Sequence, residues 1–140
     1  MTAREGKQII LFLCEHNAGR SQLAAALLAH RTGDRFEIRC AGTDPAKHAS
    51  NAVAASLAEL GIDIGGRLPR RVTEEDLREA DVVVTMKPGL ALPAQPAGKR
   101  VGWSFPDPLG WDAEGIRPLR DQIDSAVREL ADNVTRARPS

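Results

Sequence analysis

The sequence predicts an α/β fold, a parallel sheet with helices on both faces, and three observations carry that prediction. The apolar runs at residues 8–13 and 82–85 show no polar alternation, which is how a strand buried on both faces reads. Strand-like and helix-like patterns alternate along the whole chain, as they do in βαβ units. No internal repeat or low-complexity block interrupts them. The 140 residues fit one domain spanning 1–140. A chain of that size buries roughly 68–70% of its unfolded surface, enough to fold without a disulfide or a structural metal.

The elements follow in order. Gln8-Ile-Ile-Leu-Phe-Leu13 is the first strand. Residues 22–31, rich in Ala and Leu and apolar nearly all round, predict a buried helix that Gly33 stops. Phe36–Ala41 reads as a second strand. A helix over 50–60 places Val53, Leu57 and Leu60 on one face, with Gly61 just past its end. Thr73 with Asp76 three residues on marks a helix start. Glu74 and Glu75 suit the positive helix end, and Val72 and Leu77 are spaced as a hydrophobic staple. Val82–Thr85 is the third strand, broken by Lys87-Pro88-Gly89. Residues 91–98, with two prolines, read as an exposed loop, and Arg100–Trp103 as a short fourth strand. Leu119, Ile123, Val127, Leu130 and Val134 fall at helical spacing and predict a long amphipathic helix before a frayed tail, 136–140. Asp121 and Asp124 are assigned to its solvated face.

Composition narrows the function. Nineteen basic residues balance nineteen acidic ones, so nothing favours broad binding to nucleic acid or to an anionic membrane. No apolar run approaches the roughly 20 residues of a membrane span. The N-terminal apolar stretch is too brief for a signal peptide. Two cysteines without a Cys-x-x-Cys pair, and three histidines without zinc-site spacing, argue against a metal centre. Low cysteine content suits a reducing compartment, and the expectation is a cytoplasmic, soluble protein.

Chemistry concentrates where the first strand meets the first helix, in Cys14-Glu15-His16-Asn17-Ala18-Gly19-Arg20-Ser21. Ligands in open parallel sheets sit at the carboxyl ends of strands, and Cys14 stands at one. A strand-to-helix loop aims several backbone N–H groups at one point in front of a helix N-terminus, which binds an oxyanion and favours a thiolate. Arg20 adds a planar fork for two oxygens of a tetrahedral anion. Gly19 permits close backbone approach. Ser21 can donate to the sulfur, and Asn17 can tie the loop and tolerates a left-handed conformation. The expected substrate-binding set is residues 15–21: Glu15, His16, Asn17, Ala18, Gly19, Arg20 and Ser21. The plain alternative makes Cys14 an inert core residue and Arg20 a surface charge. For His16 a solvated loop position is the commoner case, and for Trp103 and Trp111 it is core or lid packing.

Cys14-x5-Arg20-Ser21-Gln22 resembles the active-site loop of the low-molecular-weight protein tyrosine phosphatases and their arsenate reductase relatives. Cys40-Ala41-Gly42-Thr43 is similar to that family's Ser-Ala-Gly-Thr. Gly61-Ile62-Asp63-Ile64 matches the stretch after the second helix, and Phe105-Pro106-Asp107-Pro108 the loop of the general acid. The resemblance, over about residues 8–131, implies a four-stranded parallel sheet flanked by helices. It also implies Cys14 as nucleophile, Arg20 as oxyanion ligand and Asp107 as proton donor to the leaving oxygen. On residues alone an Asp-Pro turn is equally a structural feature.

Two enzyme readings follow. A phosphatase forms a phosphocysteine that water hydrolyses. An arsenate reductase forms a Cys14–arsenate adduct that a second thiol resolves. Leu109-Gly110 stands where the phosphatases usually place an aromatic residue after Asp-Pro, and the chain has no tyrosine. Trp103 and Arg120-Asp-Gln-Ile-Asp are similar to the reductases, so the reading leans toward arsenate. Thr85-Met86-Lys87-Pro88-Gly89 lacks the two cysteines of the thioredoxin-coupled reductases. The resemblance therefore implies no bound cofactor but an external thiol, mycothiol, glutathione or similar, recycled by a glutaredoxin-type partner. Cys40 is the alternative resolving thiol; otherwise it replaces a buried serine. A non-catalytic oxyanion-binding or thiol-sensor domain is the non-enzymatic alternative, and a flavin-binding doubly wound protein ranks last.

Overall fold

The first apolar run forms the strand β1 (Ile9–Cys14), and all six of its residues are buried. Alternation then sends side chains to opposite faces. Ile10, Phe12 and Cys14 join one apolar cluster, and Ile9, Leu11 and Leu13 the other. A strand apolar on both sides gains most in the centre, at about 1.5–3 kcal/mol for each large side chain fully buried. In this computed structural model, which describes residues 6–137, β1 lies inside the sheet. With β2 (Glu37–Gly42), β3 (Val82–Thr85) and β4 (Lys99–Gly102) it forms a four-stranded sheet of order β2-β1-β3-β4, parallel throughout.

The helices α1 (Arg20–Thr32), α2 (Asn51–Ala58) and α4 (Ala113–Ala137) cover the Phe12 face, and α3 (Glu74–Glu79) lies on the other with Val72, Leu77 and Ala80. The capping box at Thr73 and Asp76 is formed as expected. Gly33, at φ 61, closes α1 by donating to the Ala29 carbonyl.

Four details differ from the sequence reading. α2 ends at Ala58, so Leu60 lies beyond it and is exposed, while Ile62 turns back onto the core and donates to the Leu57 carbonyl. α4 starts six residues before Leu119, because Asp112 caps it by accepting from Gly115 N at 2.7 Å and Ile116 N at 3.1 Å. Asp124 is not on the solvated face: it is buried against α1 and takes both Nε and Nη2 of Arg31. Of the expected frayed tail, Arg136 and Ala137 continue α4, and residues 138–140, like 1–5, lie outside the described residues. Among the described residues no helix is long and apolar enough to cross a membrane, and no group of three or more His, Cys, Asp or Glu side chains gathers as metal ligands would.

An ion-pair knot ties α2 to α4. Glu59 accepts from Arg117 Nε and Nη2, at 2.9 and 2.8 Å, and from Arg120 Nη1 at 2.9 Å. Hydrogen bonds first from Arg117 and then from Arg120 lower the Glu59 carboxyl from 4.5 to about 2. A carboxyl depressed on folding stabilises the protein above its unfolded value, and the contribution is lost as pH falls from 4.5 toward 2. Glu59→Gln should therefore melt lower than wild type at pH 6, and the gap should close on titration to pH 2. A constant gap in scanning calorimetry would exclude this linkage.

Candidate active site

Cys14 ends β1 and is 2% exposed. The parallel register sets it opposite Gly42, the last residue of β2. After it the chain turns through residues 15–19 into α1, and every carbonyl on the way is held from outside. Those of Cys14, Glu15, His16 and Ala18 accept from the amides of Thr43, Asp44, Ala46 and Ser50. That of Asn17 accepts from Gln22 Nε2 and that of Gly19 from Leu23 N. In a trans peptide unit the N–H points opposite to the C=O, and no cis bond occurs here. Turning six carbonyls outward therefore turns the amides of residues 15–20 inward. One inward donor already has its acceptor: Asn17 N reaches Cys14 Sγ at 3.2 Å. The other five, on Glu15, His16, Ala18, Gly19 and Arg20, find no acceptor among the described residues. This is a nest for an oxyanion.

Asn17 holds the turn. It is fully buried with φ 53, a left-handed conformation that Asn tolerates. Its Oδ1 accepts from Arg70 N at 3.0 Å and its Nδ2 donates to Ser21 Oγ at 2.7 Å. With a lone pair of Oγ thus engaged, the Ser21 hydroxyl hydrogen is available to Cys14 Sγ, 3.0 Å away.

Arg20, 5% exposed, closes the nest. Its Nη1 donates to the Phe105 carbonyl at 3.0 Å, and its Nη2 lies 4.0 Å from Asp107 Oδ2. Asp107 is exposed at the rim, where its Oδ1 accepts from Leu109 N at 3.1 Å in an Asx-type turn. Pro108 is buried against the nest, and a Cβ on Gly19 would come within 3.0 Å of its Cγ. The Asp107 segment and the Cys14 loop thus touch directly.

The two segments enclose a cavity of about 250 Å³. Of the expected binding residues, His16, Ala18, Gly19 and Arg20 line it with Cys14 and Asp107. Asn17 and Ser21 stand behind the loop, fully buried, and support it. The Glu15 carboxylate is engaged elsewhere, 3.7 Å from Lys87 Nζ, so Glu15 offers only its amide. His16 sits partly exposed at the mouth, with Nδ1 3.1 Å from the Asp44 carbonyl. The wall is completed by Pro108, Leu109 and Gly110, and by two residues that sequence reasoning did not single out, Ala46 and Ser50. Of these only Ser50 carries a sequence signal, as the N-cap of α2 accepting from Val53 N. Trp103 packs under the site between Phe12 and Phe105, and Trp111 is exposed.

Cys40 pairs with Phe12 in the ladder and points to the same face as Cys14, two residues back along the sheet. A diagonal across adjacent strands spans about 8 Å between Cα atoms, beyond the about 7 Å that a disulfide tolerates. Burial pushes the Cys40 thiol up, against the opposing pull of the Asn17 amide and Arg67. Both facts weigh against Cys40 as a partner for Cys14.

Comparison with known proteins identifies a family. The family profile for low molecular weight phosphotyrosine protein phosphatase matches residues 9–140. A relative from Halobacterium salinarum is 38% identical over 128 residues, covering 86% of this chain and 89% of its own. An arsenate reductase of Halalkalibacterium halodurans is 36% identical over 135 residues, covering 90% and 96%. Among solved structures, the thioredoxin-dependent arsenate reductase of Corynebacterium glutamicum superposes with a TM-score of 0.83 at 34% identity. That match covers 96% of this chain but only 65% of the other, longer one.

Proposed function

This chain belongs to the low molecular weight phosphotyrosine protein phosphatase family, and on that premise we propose that it is an arsenate reductase working through a Cys14–arsenate adduct. The observation that carries the reading is the ring of inward amides around Cys14 Sγ, completed by Arg20. Arsenate binds with its oxygens on those amides and on the guanidinium. The Cys14 thiolate attacks arsenic, an As–O bond breaks, and Asp107 gives the departing oxygen its proton so that water leaves.

The second half needs another sulfur. The chain has two cysteines, and Cys40 does not line the cavity that holds Cys14. An external thiol therefore enters through the mouth. Its thiolate attacks Cys14 Sγ, the S–As bond breaks, and the bonding pair goes to arsenic, which leaves as arsenite. Cys14 is left in a mixed disulfide, which a second thiol or a glutaredoxin-type protein reduces. The wall favours this over a phenol substrate. Leu109 and Gly110 offer no ring to stack on phosphotyrosine, and about 250 Å³ holds more than the oxyanion alone. The relatives named as arsenate reductases point the same way.

The test supplies arsenate with a small thiol, mycothiol or glutathione, plus a glutaredoxin-type protein, then with thioredoxin instead, and separately an aryl phosphate. Arsenite should form with the small-thiol system and persist in Cys40→Ser. Loss of arsenite in that variant would return Cys40 to the mechanism. Fast aryl phosphate hydrolysis without arsenite would make the protein a phosphatase. Anion binding with no product in any arm would leave a binding domain.

A further inference from the structure

Neither Trp103 nor Phe105 lines the cavity, yet both belong to the packing that meets Arg20, which does. Among the described residues, the only side-chain hydrogen bond of Arg20 goes to the Phe105 carbonyl, at 3.0 Å. Two routes run from that carbonyl to the strand that carries Cys14. Along the backbone, Phe105 N donates to the Met86 carbonyl at 3.0 Å, and Met86 N donates to the carbonyl of Leu13 at 2.8 Å. Through side chains, the Phe105 ring stands edge-on to Trp103, with centroids 5.9 Å apart and planes at 84°. Trp103 in turn lies 6.0 Å from Phe12, fully buried on β1 two residues before Cys14. Edge-to-face contacts of this kind favour one mutual orientation.

We propose that Trp103 is a positioning residue for oxyanion binding: wedged between Phe12 and Phe105, it holds the Phe105 carbonyl where that carbonyl fixes Arg20. A guanidinium is rigid and planar, so anchoring Nη1 sets the direction of every other donor on it. The Nε and Nη2 edge is then presented to the anion without a search among rotamers. Asp107 follows Phe105 by two residues, so the same brace sets the distance between the acid and the arginine. The proposal rests on reading the Cys14 loop as an oxyanion cradle, but not on which oxyanion is turned over.

The experiment titrates inorganic phosphate into the intact protein and its variants by calorimetry. Trp103→Ala should weaken phosphate binding by roughly tenfold or more, since a shift of about 1 Å in a binding group has effects of this order. Trp103→Phe, which keeps a ring against both neighbours, should recover most of the affinity. The deciding pair repeats Trp103→Ala in an Arg20→Ala background. With no guanidinium left to orient, the same change should alter phosphate affinity little. An equal loss in both backgrounds would make Trp103 plain packing and overturn the proposal, as would wild-type affinity in Trp103→Ala. Should Trp103→Ala not fold, Trp103→Leu carries the same two comparisons, because it keeps apolar volume without the ring. A wild type that binds no phosphate would overturn the cradle reading, and the proposal with it.

Discussion

Cys14→Ser should abolish arsenite formation, by roughly 10⁴-fold or more, while phosphate binding stays close to that of the wild type. Serine keeps the shape of the side chain and can still meet Asn17 N and Ser21 Oγ, which now surround sulfur at 3.2 and 3.0 Å. The inward amides and Arg20 are untouched, so the cradle remains. What disappears is the sulfur nucleophile that forms a sulfur–arsenic bond. The other cysteine cannot substitute, because Cys40, paired with Phe12 in the ladder, does not line the cavity and its thiol is pushed up by burial. Arsenite quantified alongside a phosphate titration separates the two effects. Substantial turnover by Cys14→Ser would sink the adduct mechanism, and loss of phosphate binding would mean that the sulfur itself shapes the loop.

The loop was legible because its chemistry is contiguous. Cys14, Asn17, Gly19, Arg20 and Ser21 fall within eight residues, directly after an apolar run that can only be a central strand. The inward direction of the amides was legible only as an expectation of loop type; the outward carbonyls that enforce it depend on residues 43–50, brought there by β2. Asp107 was reached through the resemblance, since an Asp-Pro turn on an exposed rim has no local signature of catalysis. The wall from Ala46 and Ser50 was not legible, because side chains so far from the Cys14 loop in sequence meet it only through topology. The Phe105 carbonyl was invisible for another reason: it is a backbone atom, and any residue type supplies one. The Asp124 assignment failed on distance as well. A carboxylate at a helix surface position looks solvated until Arg31, 93 residues away, packs over it. Gly115 and Pro118 stand within the first two turns of α4 and hide its start from a helical pattern, which only the Asp112 cap betrays.

Gly42→Ala should damage the anion cradle without touching any chemical group of the site. A Cβ there would stand 2.5 Å from the Glu15 carbonyl oxygen, 3.0 Å from Asn17 N and 3.1 Å from Asn17 Cβ. Two of these are backbone atoms, so no side chain can swing aside. β2 cannot retreat either, since Gly42 donates to the Arg70 carbonyl and accepts from Val72 N, each at 2.9 Å, on its far side. The strain must fall on the loop. Moving the Glu15 carbonyl rotates the peptide plane that carries the His16 N–H, and crowding Asn17 N disturbs the donor that meets Cys14 Sγ. The expected result is a loss of phosphate affinity of about 10²-fold with a destabilisation of about 1–3 kcal/mol from overpacking. Gly102→Ala is the control. It makes the same substitution at the end of β4, where the added Cβ meets only Thr85 Oγ1 at 3.9 Å, and it should bind phosphate normally. If Gly42→Ala binds phosphate as tightly as Gly102→Ala does, the cradle does not depend on the close fit between β2 and the Cys14 loop.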